Sequence, residues 1–263
     1  MAGLLALYSW RVEPYWLDIK HINMPVKNLP KHLEGKLLMQ ISDIHVGNGF
    51  DSRFLIRSFE EAKKYHPDFV VYTGDFVTWR NSEQLEQLNT VLKHCPKGKS
   101  GTAGILGNHD YGRNWRENDV ADAVSDMVES CGITLLRNRQ KELNGLVFTG
   151  FEDYMSDRFN YNQMQNINPG DANIVLCHNP DACDADIWNN YEGWILSGHT
   201  HGGQVKIPLV SVPVVPVNNK RYTSGKIDLH DGRTLYINRG LSTSHYFRFN
   251  VRPEITLFQL QKQ

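Results

Sequence analysis

The sequence predicts a layered α/β fold, because short β-branched runs alternate with longer segments of helical period. The 263 residues are 40% hydrophobic and 22% charged, which is typical of a globular chain that buries a sizeable core. No linker-like stretch divides the chain, and its C-terminal part is richer in strand patterns. One main domain is therefore expected.

The boundaries of the predicted elements follow from periodicity and from start and stop residues. Helices are expected at 52–65, at 82–94, which Ser82 opens, and at 120–130, which Gly132 ends. The strands 233–237 and 254–260 are expected to pair as a hairpin. Further strands are expected at 36–42, 69–73, 103–106, 146–151, 173–176 and 194–197.

Charge and cysteine content exclude several classes of protein. The chain has 28 Lys and Arg against 29 Asp and Glu, a formal net charge of −1. A protein held mainly by nucleic-acid phosphates would have a basic excess, so no nucleic-acid partner is expected. The four cysteines lack C-x-x-C spacing, which argues against a zinc knuckle or a redox pair.

The N-terminal segment is apolar but short. Residues 4–10 fall well below the roughly twenty apolar residues that cross a bilayer, and they lack the charged region of a cleavable signal. We expect residues 1–35 to be a packed N-terminal arm or the remnant of an anchor, and residues 36–263 to form the main domain.

Polar clusters follow five of the predicted strands. In open α/β sheets, ligands bind beyond the carboxyl ends of the strands, so these clusters are expected to converge on one site. Each cluster alone is a common turn sequence, but five in succession are hard to attribute to chance. The clusters are Asp43-Ile44-His45, Gly74-Asp75, Gly107-Asn108-His109-Asp110, His178 and Gly198-His199-Thr200-His201.

The chemistry of these clusters indicates a metal site. Carboxylate oxygen, imidazole nitrogen and amide oxygen together suit manganese, iron or zinc, and the lack of a thiolate cluster argues against structural zinc. Two metals about 3.5–4 Å apart need a carboxylate that contacts both. Asp75, preceded by Gly74, fits that position.

The order D-x-H, G-D, G-N-H-D, H, G-H-x-H resembles that of the calcineurin-like metallophosphoesterase superfamily. The sequences at 40–45 and 199–204, together with 239–240 and 252–255, are similar to those of the YkuE-like bacterial branch. The resemblance implies a four-layer α/β/β/α sandwich of two mixed sheets flanked by helices. It also implies two divalent ions, with Mn²⁺ expected and iron or zinc as alternatives.

The resemblance further implies a role for each motif residue. His109 is the expected proton donor or charge stabiliser, and Asp75 and His109 are the expected catalytic residues. Asp110 is expected either to hold His109 or to be a surface carboxylate, and Cys177 to be a buried thiol. The expected metal ligands are Asp43, His45 and His201 for one metal, Asn108, His178 and His199 for the other, and Asp75 as the bridge.

Residues close to the ligand motifs are candidates for substrate binding. Asn48, Tyr111 and Arg113 are expected to line the cleft, and Arg113 could pair with a second phosphate or be a solvated surface residue. In the C-terminal part, where the substrate wall of this family usually forms, substrate contact and structural roles both stay open. The candidates there are Lys220, Arg221, His245 and Arg248.

The segment 207–217 is strongly apolar, yet its three prolines exclude a helix and a central strand. It could contact a lipid surface or acyl chains, with Lys220 and Arg221 near anionic head groups, or it could cover the C-terminal strands. The lipid interpretation predicts peripheral membrane association; an N-terminal anchor or a cytoplasmic location are the alternatives.

These observations predict a metal-dependent phosphoesterase, a hydrolase acting on ester bonds. By resemblance, the reaction is expected to be that of a phosphodiesterase or pyrophosphatase on a lipid-linked or membrane-proximal substrate, similar to UDP-2,3-diacylglucosamine hydrolases. A broad phosphomonoesterase or a nucleotide phosphodiesterase is the alternative. A non-catalytic scaffold would have broken ligand positions, whereas all seven ligands and His109 are present.

Overall fold

The structure, a computed structural model, describes residues 2–208, 214–243 and 246–263. The described helices are α1 (Ala2–Arg11), α2 (Ser52–Lys63), α3 (Glu83–Leu92) and α4 (Asn118–Ser130). The described strands are β1 (Asp18–Val26), β2 (Leu37–Ile41), β3 (Phe69–Thr73), β4 (Gly101–Ile105), β5 (Thr134–Leu135), β6 (Arg139–Leu143), β7 (Leu146–Gly150), β8 (Asn173–Leu176), β9 (Gly193–Ser197), β10 (Gly225–Asp228), β11 (Arg233–Ile237) and β12 (Glu254–Lys262).

The strands form two mixed six-stranded sheets. The first has the order β1-β12-β2-β3-β4-β5, in which β12 is antiparallel to β2 and the other pairs are parallel. The second has the order β10-β11-β9-β8-β7-β6, with antiparallel pairs at its two edges. Two mixed sheets flanked by helices confirm the predicted fold class.

The core lies in three layers around these sheets. Side chains such as Phe69, Phe148 and Phe258 fill the space between the sheets. The apolar side of α2 packs with α3 and α4 on the outer side of the first sheet, and Asp51 caps α2 by accepting from the Arg53 N–H (2.9 Å). On the outer side of the second sheet the cover includes the short 3-10 helices Asn162–Asn166 and Pro180–Asp184.

The prediction that 233–237 and 254–260 pair as a hairpin is wrong. The strand β11 pairs in parallel with β9 and antiparallel with β10, whereas β12 belongs to the other sheet. Both segments have strand patterns, but pattern alone does not choose the partner. The true hairpin partner, β10, has only four residues, two of them charged and exposed, so its sequence gave little indication of a strand.

The expected N-terminal arm contains a strand of the first sheet. Nine residues of β1 pair in parallel register with β12, from Asp18 opposite Glu254 to Val26 opposite Lys262. At this sheet edge the outer residues of β1 are half-buried or exposed, which explains why periodicity did not indicate it. None of the helices in the described part of the chain has the length and hydropathy to cross a membrane.

The strand order brings the functional loops together. Parallel strands β2, β3 and β4 end at the same edge, and so do β7, β8 and β9 of the opposite sheet. Gln40 joins the two sheets just below this edge, because its Nε2 donates to Thr73 Oγ1 (3.0 Å) and to Ser197 O (2.9 Å). Backbone bonds such as Asp43 N to Gly74 O (3.0 Å) then tie the loops to one another.

Candidate metal centre

The loops at the carboxyl ends of the strands place the predicted ligands in overlapping groups. In each group one ligand atom from every residue lies within 4.8 Å of the others. Asp75 and His45 each belong to two groups, and Asp75 is the carboxylate among these shared residues. The groups in the described residues are Asp43, His45 and His201; His45, Asp75 and His109; and Asp75, His178 and His199.

The first group has its donor atoms between 2.9 and 3.9 Å apart. His45 Nε2 lies 2.9 Å from His201 Nε2, and His201 Nε2 lies 3.3 Å from Asp43 Oδ1. On its other side, His45 Nδ1 is hydrogen-bonded to Thr78 Oγ1 (2.9 Å), which fixes the orientation of the ring. All three ligand side chains are buried.

The third group lies next to Asn108, the amide that sequence analysis expected as a ligand. His199 Nδ1 lies 2.9 Å from Asn108 Oδ1, and His178 Nε2 lies 3.2 Å from Asp75 Oδ2. The far side of each ring donates to a backbone carbonyl: His178 Nδ1 to Thr73 O (2.7 Å) and His199 Nε2 to Pro216 O (3.1 Å). These bonds fix each ring so that its other nitrogen, His178 Nε2 or His199 Nδ1, faces the site.

The donor set fits a pair of divalent cations. His199 Nδ1 faces an amide oxygen, and two imidazole nitrogens, His45 Nε2 and His201 Nε2, face each other. His178 Nε2 is buried without a hydrogen-bond partner, although it lies beside the Asp75 carboxylate. Converging lone pairs in the interior are stabilised by a shared cation, and nitrogen with carboxylate oxygen suits first-row transition metals.

The electrostatics of the site favour neutral His45 and His199 and an ionised bridge that pairs with His178. Burial lowers the pKa of His178, but the Asp75 carboxylate holds it well above its usual range. Burial lowers the pKa of His45 to about 3 and that of His199 to about 4. Burial raises the pKa of the Asp75 carboxyl, but His178, His109 and His45 together hold it well below its usual range. Burial also raises the pKa of Asp43 to about 7, so a metal ion competes there with a proton.

The ligands lie on strained backbone. Five of the seven have left-handed φ angles, between 43° and 71°, which non-glycine residues adopt at a cost and mainly at functional sites. The glycines of the motifs permit this packing: a Cβ on Gly107 would lie 2.4 Å from Asp75 Oδ1, and one on Gly198 would lie 2.4 Å from Asp43 Oδ2. The five residues are Asp43, His45, Asp75, His199 and His201.

His109 lies beside the site on the 3-10 helix Asn108–Tyr111. Its backbone N–H donates to Asp75 Oδ1 (2.9 Å), and its half-buried ring packs at a right angle to that of His45, with centroids 4.9 Å apart. Asp110 is buried, so it is not a surface carboxylate. It accepts from the N–H groups of Gly107 (2.9 Å) and Val77 (3.0 Å), and thereby fixes the loop that carries His109.

Two predicted substrate contacts are corrected by the structure. Tyr111 is fully buried and its hydroxyl donates to Glu152, so it anchors the His109 loop in the core. Arg248 is also fully buried; its guanidinium donates to the carbonyls of Val251 (3.1 Å), Gly240 (3.0 Å) and two neighbouring residues. Both side chains are long and polar, which made them look accessible in the sequence.

The other predicted contacts differ in exposure. Asn48 is buried and joins two loops, because its Nδ2 donates to Thr243 O (2.5 Å) and its Oδ1 accepts from Phe50 N (2.8 Å). Arg113 and Arg221 are exposed. Lys220 Nζ donates to Val215 O (3.1 Å). The remaining candidate, His245, lies outside the described residues.

Sequence reasoning missed the groups that orient the ligands. Thr78 and the carbonyl of Thr73 hold ligand rings, and the Ser242 N–H donates to Asp43 O (3.0 Å). Backbone partners leave no residue-type signal. Trp115 was also missed, although an exposed aromatic residue six positions after His109 could have indicated a rim residue.

The model of the calcineurin-like phosphoesterase family matches residues 37–203. This match covers more than half of the chain, and every predicted ligand lies within it. The chain therefore belongs to the calcineurin-like phosphoesterases and is a metal-dependent hydrolase of phosphate esters, from a family that uses a dinuclear metal centre.

Three curated relatives are similar over almost their full length. Metallophosphoesterase YkuE of Bacillus subtilis (strain 168) is 29% identical, over 97% of this chain and 89% of the relative. Phosphodiesterase YaeI of Escherichia coli (strain K12) is 28% identical, over 96% and 92%. UDP-2,3-diacylglucosamine pyrophosphatase LpxG of Chlamydia trachomatis is 27% identical, over 98% and 94%.

Replacing the bridge tests the arrangement of the ligands. Asp75→Asn removes the charge and one of the oxygens shared by two groups, so we expect both ions and all phosphoesterase activity to be lost. Mass spectrometry of dialysed protein gives the metal content per chain. Asp171→Asn, a change at an exposed carboxylate, is the control. Two ions still bound to Asp75→Asn would contradict the bridging role.

The close contact of the loops predicts the effect of a single methyl group. In Gly107→Ala the new Cβ would displace Asp75 and the His178 ring, and we expect metal affinity to fall by roughly 10–100-fold. In the control, Gly170→Ala, the nearest atom to the new Cβ is 3.4 Å away. Calorimetric titration with Mn²⁺ measures the affinity of both variants. Equal affinities would show that the loops can move apart without a loss of metal binding.

Proposed function

We propose that this protein hydrolyses a phosphodiester or pyrophosphate bond in a lipid-linked substrate, with two Mn²⁺ ions bound to the candidate ligands. The observation that carries the proposal is that two three-residue groups share Asp75 and that His109 is hydrogen-bonded to this same carboxylate through its backbone. The names of two relatives, a phosphodiesterase and a pyrophosphatase, support the bond type.

Each residue has a defined part in the proposed reaction. When bound, two divalent ions lower the pKa of water and neutralise phosphate oxygens. Asp43, His45 and His201 would hold one ion and Asn108, His178 and His199 the other, and Asp75 would contact both. In the described residues the ring nitrogens of His109 make no hydrogen bond, and one of them lies within 4.8 Å of donor atoms of His45 and Asp75. The ring is therefore available beside the bridge to protonate or to stabilise the leaving oxygen.

The choice of manganese rests on the donors. The site offers carboxylate, amide and imidazole groups, which suit manganese or iron, and none of the candidate groups in the described residues includes a thiolate. Cys177 precedes His178, but its Sγ donates to Asn179 O (3.5 Å), and burial raises its pKa well above the usual range. It remains a buried thiol in this proposal.

Exposed apolar side chains near the metal centre support a lipid-linked substrate and peripheral membrane contact. Of the segment 207–217, residues 209–213 lie outside the described residues, but Val214 is 94% exposed and Ile207 55% exposed. The described end of the segment borders the metal centre, since Pro216 O accepts from the ring of His199. Exposed apolar residues next to a site are typical of contact with an apolar partner.

A leaving-group series tests the role of His109. His109→Ala keeps the metal ligands, so we expect metal content to be unchanged and turnover of alkyl phosphodiesters to fall by roughly 10²–10⁴-fold. The loss should be smaller for bis-p-nitrophenyl phosphate, because p-nitrophenolate leaves without a proton. His94→Ala, at an exposed histidine, is the control. Equal losses on good and poor leaving groups would contradict proton donation.

The lipid interpretation predicts a selective effect of two rim residues. In the double variant Ile207→Ser with Val214→Ser, we expect several-fold slower turnover of a lipid-linked nucleotide diphosphate in vesicles, and unchanged turnover of bis-p-nitrophenyl phosphate. Tyr161→Ser removes an exposed apolar side chain elsewhere and is the control. An unchanged ratio of the two activities would remove the support for membrane contact.

A further inference from the structure

A loop of defined shape forms one side of the candidate site next to His109. In residues 112–117 the Glu117 carboxylate accepts from the backbone of Arg113 (3.0 Å) and Asn114 (3.4 Å), and Glu117 N donates to Tyr111 O (2.8 Å). Gly112 has φ 79°, and a Cβ there would lie 2.6 Å from the Glu117 carboxylate. The loop is therefore held in one conformation.

This loop presents Trp115 at the rim. Its backbone has φ 60°, a left-handed conformation that is uncommon for a bulky residue and that often marks functional positions. The side chain is 38% exposed, and its ring packs edge to face against His109, with centroids 6.0 Å apart. A large aromatic surface is thus kept at the mouth of the site, in contact with the proposed proton donor.

A cation accompanies this ring on the same loop. Arg113 is exposed, and its Nη2 donates to Arg80 O (2.6 Å), which joins the loop to the segment after β3 that carries Asp75 and Thr78. The hydrogen bonds of the described residues give Arg113 Nε and Nη1 no protein partner. A fixed aromatic ring and a guanidinium on one short loop are suited to a planar ring that is attached to an anion.

We propose that Trp115 is a specificity-determining residue that stacks on a nucleobase, so that the part of the substrate next to His109 is a nucleoside 5′-phosphate group. This inference rests on the proposed function, since it places the base on the side from which the leaving group departs. The exposed side chains of Ile207 and Val214 follow a different ligand motif and are left for the other part of the substrate.

Equilibrium binding to the Mn²⁺-loaded protein tests the proposal without turnover. We expect calorimetry to give adenosine 5′-monophosphate a Kd at least tenfold below that of ribose 5-phosphate, because only the nucleotide has a base to stack. Trp115→Leu should remove most of this difference and leave the Kd of ribose 5-phosphate unchanged, whereas Trp115→Phe should keep most of it. Trp16→Leu is the matched control, because Trp16 is an exposed tryptophan beside Arg252.

Two results would overturn the proposal. One is equal binding of the nucleotide and the sugar phosphate to the unchanged protein. The other is an equal loss for both ligands in Trp115→Leu, which would mean that Trp115 only supports His109 or the metal site. Melting temperatures confirm that the variants are folded. A protein that binds the nucleotide as expected but hydrolyses no phosphodiester would reject the proposed function and retain this inference.

Discussion

Lone pairs that converge in the protein interior are the constraint on which this structure depends. Two carboxylates, an amide and four imidazoles are buried at the edge where two sheets meet, with neighbouring donor atoms between 2.9 and 3.9 Å apart. Such an arrangement is unfavourable unless cations occupy the space between the donors. The second nitrogen of His45, His178 and His199 is hydrogen-bonded to a threonine hydroxyl or a backbone carbonyl, so these rings are fixed independently of any substrate.

The fold stabilises this arrangement through the loops rather than through the ligands themselves. Arg248 illustrates the point, because its buried guanidinium satisfies carbonyls on both sides of the turn that contacts Asp43. Burial lowers the pKa of Arg248 to about 9, and the four carbonyl contacts supply the stabilisation that a charged group needs there. The left-handed backbone conformations of the ligand residues are likewise maintained by the close packing that Gly107 and Gly198 permit.

The sequence predicted the parts of the molecule in which local pattern and chemistry coincide. The strand 69–73 and the five motif clusters could be found because buried β-branched runs end directly in ligand-type residues. Pairing partners could not be found, since β11 and β12 have similar patterns but belong to different sheets. Tyr111 and Arg248 were misplaced because residue type indicates exposure only on average, and their partners are distant in sequence.

The most direct test of the account is anomalous diffraction from crystals of the protein grown with Mn²⁺. Two peaks about 3.5–4 Å apart, with Asp75 between them and His109 coordinated to neither, would be the predicted result. A single ion, or two ions too far apart for one carboxylate to bridge, would contradict the central claim that these buried side chains form one dinuclear site.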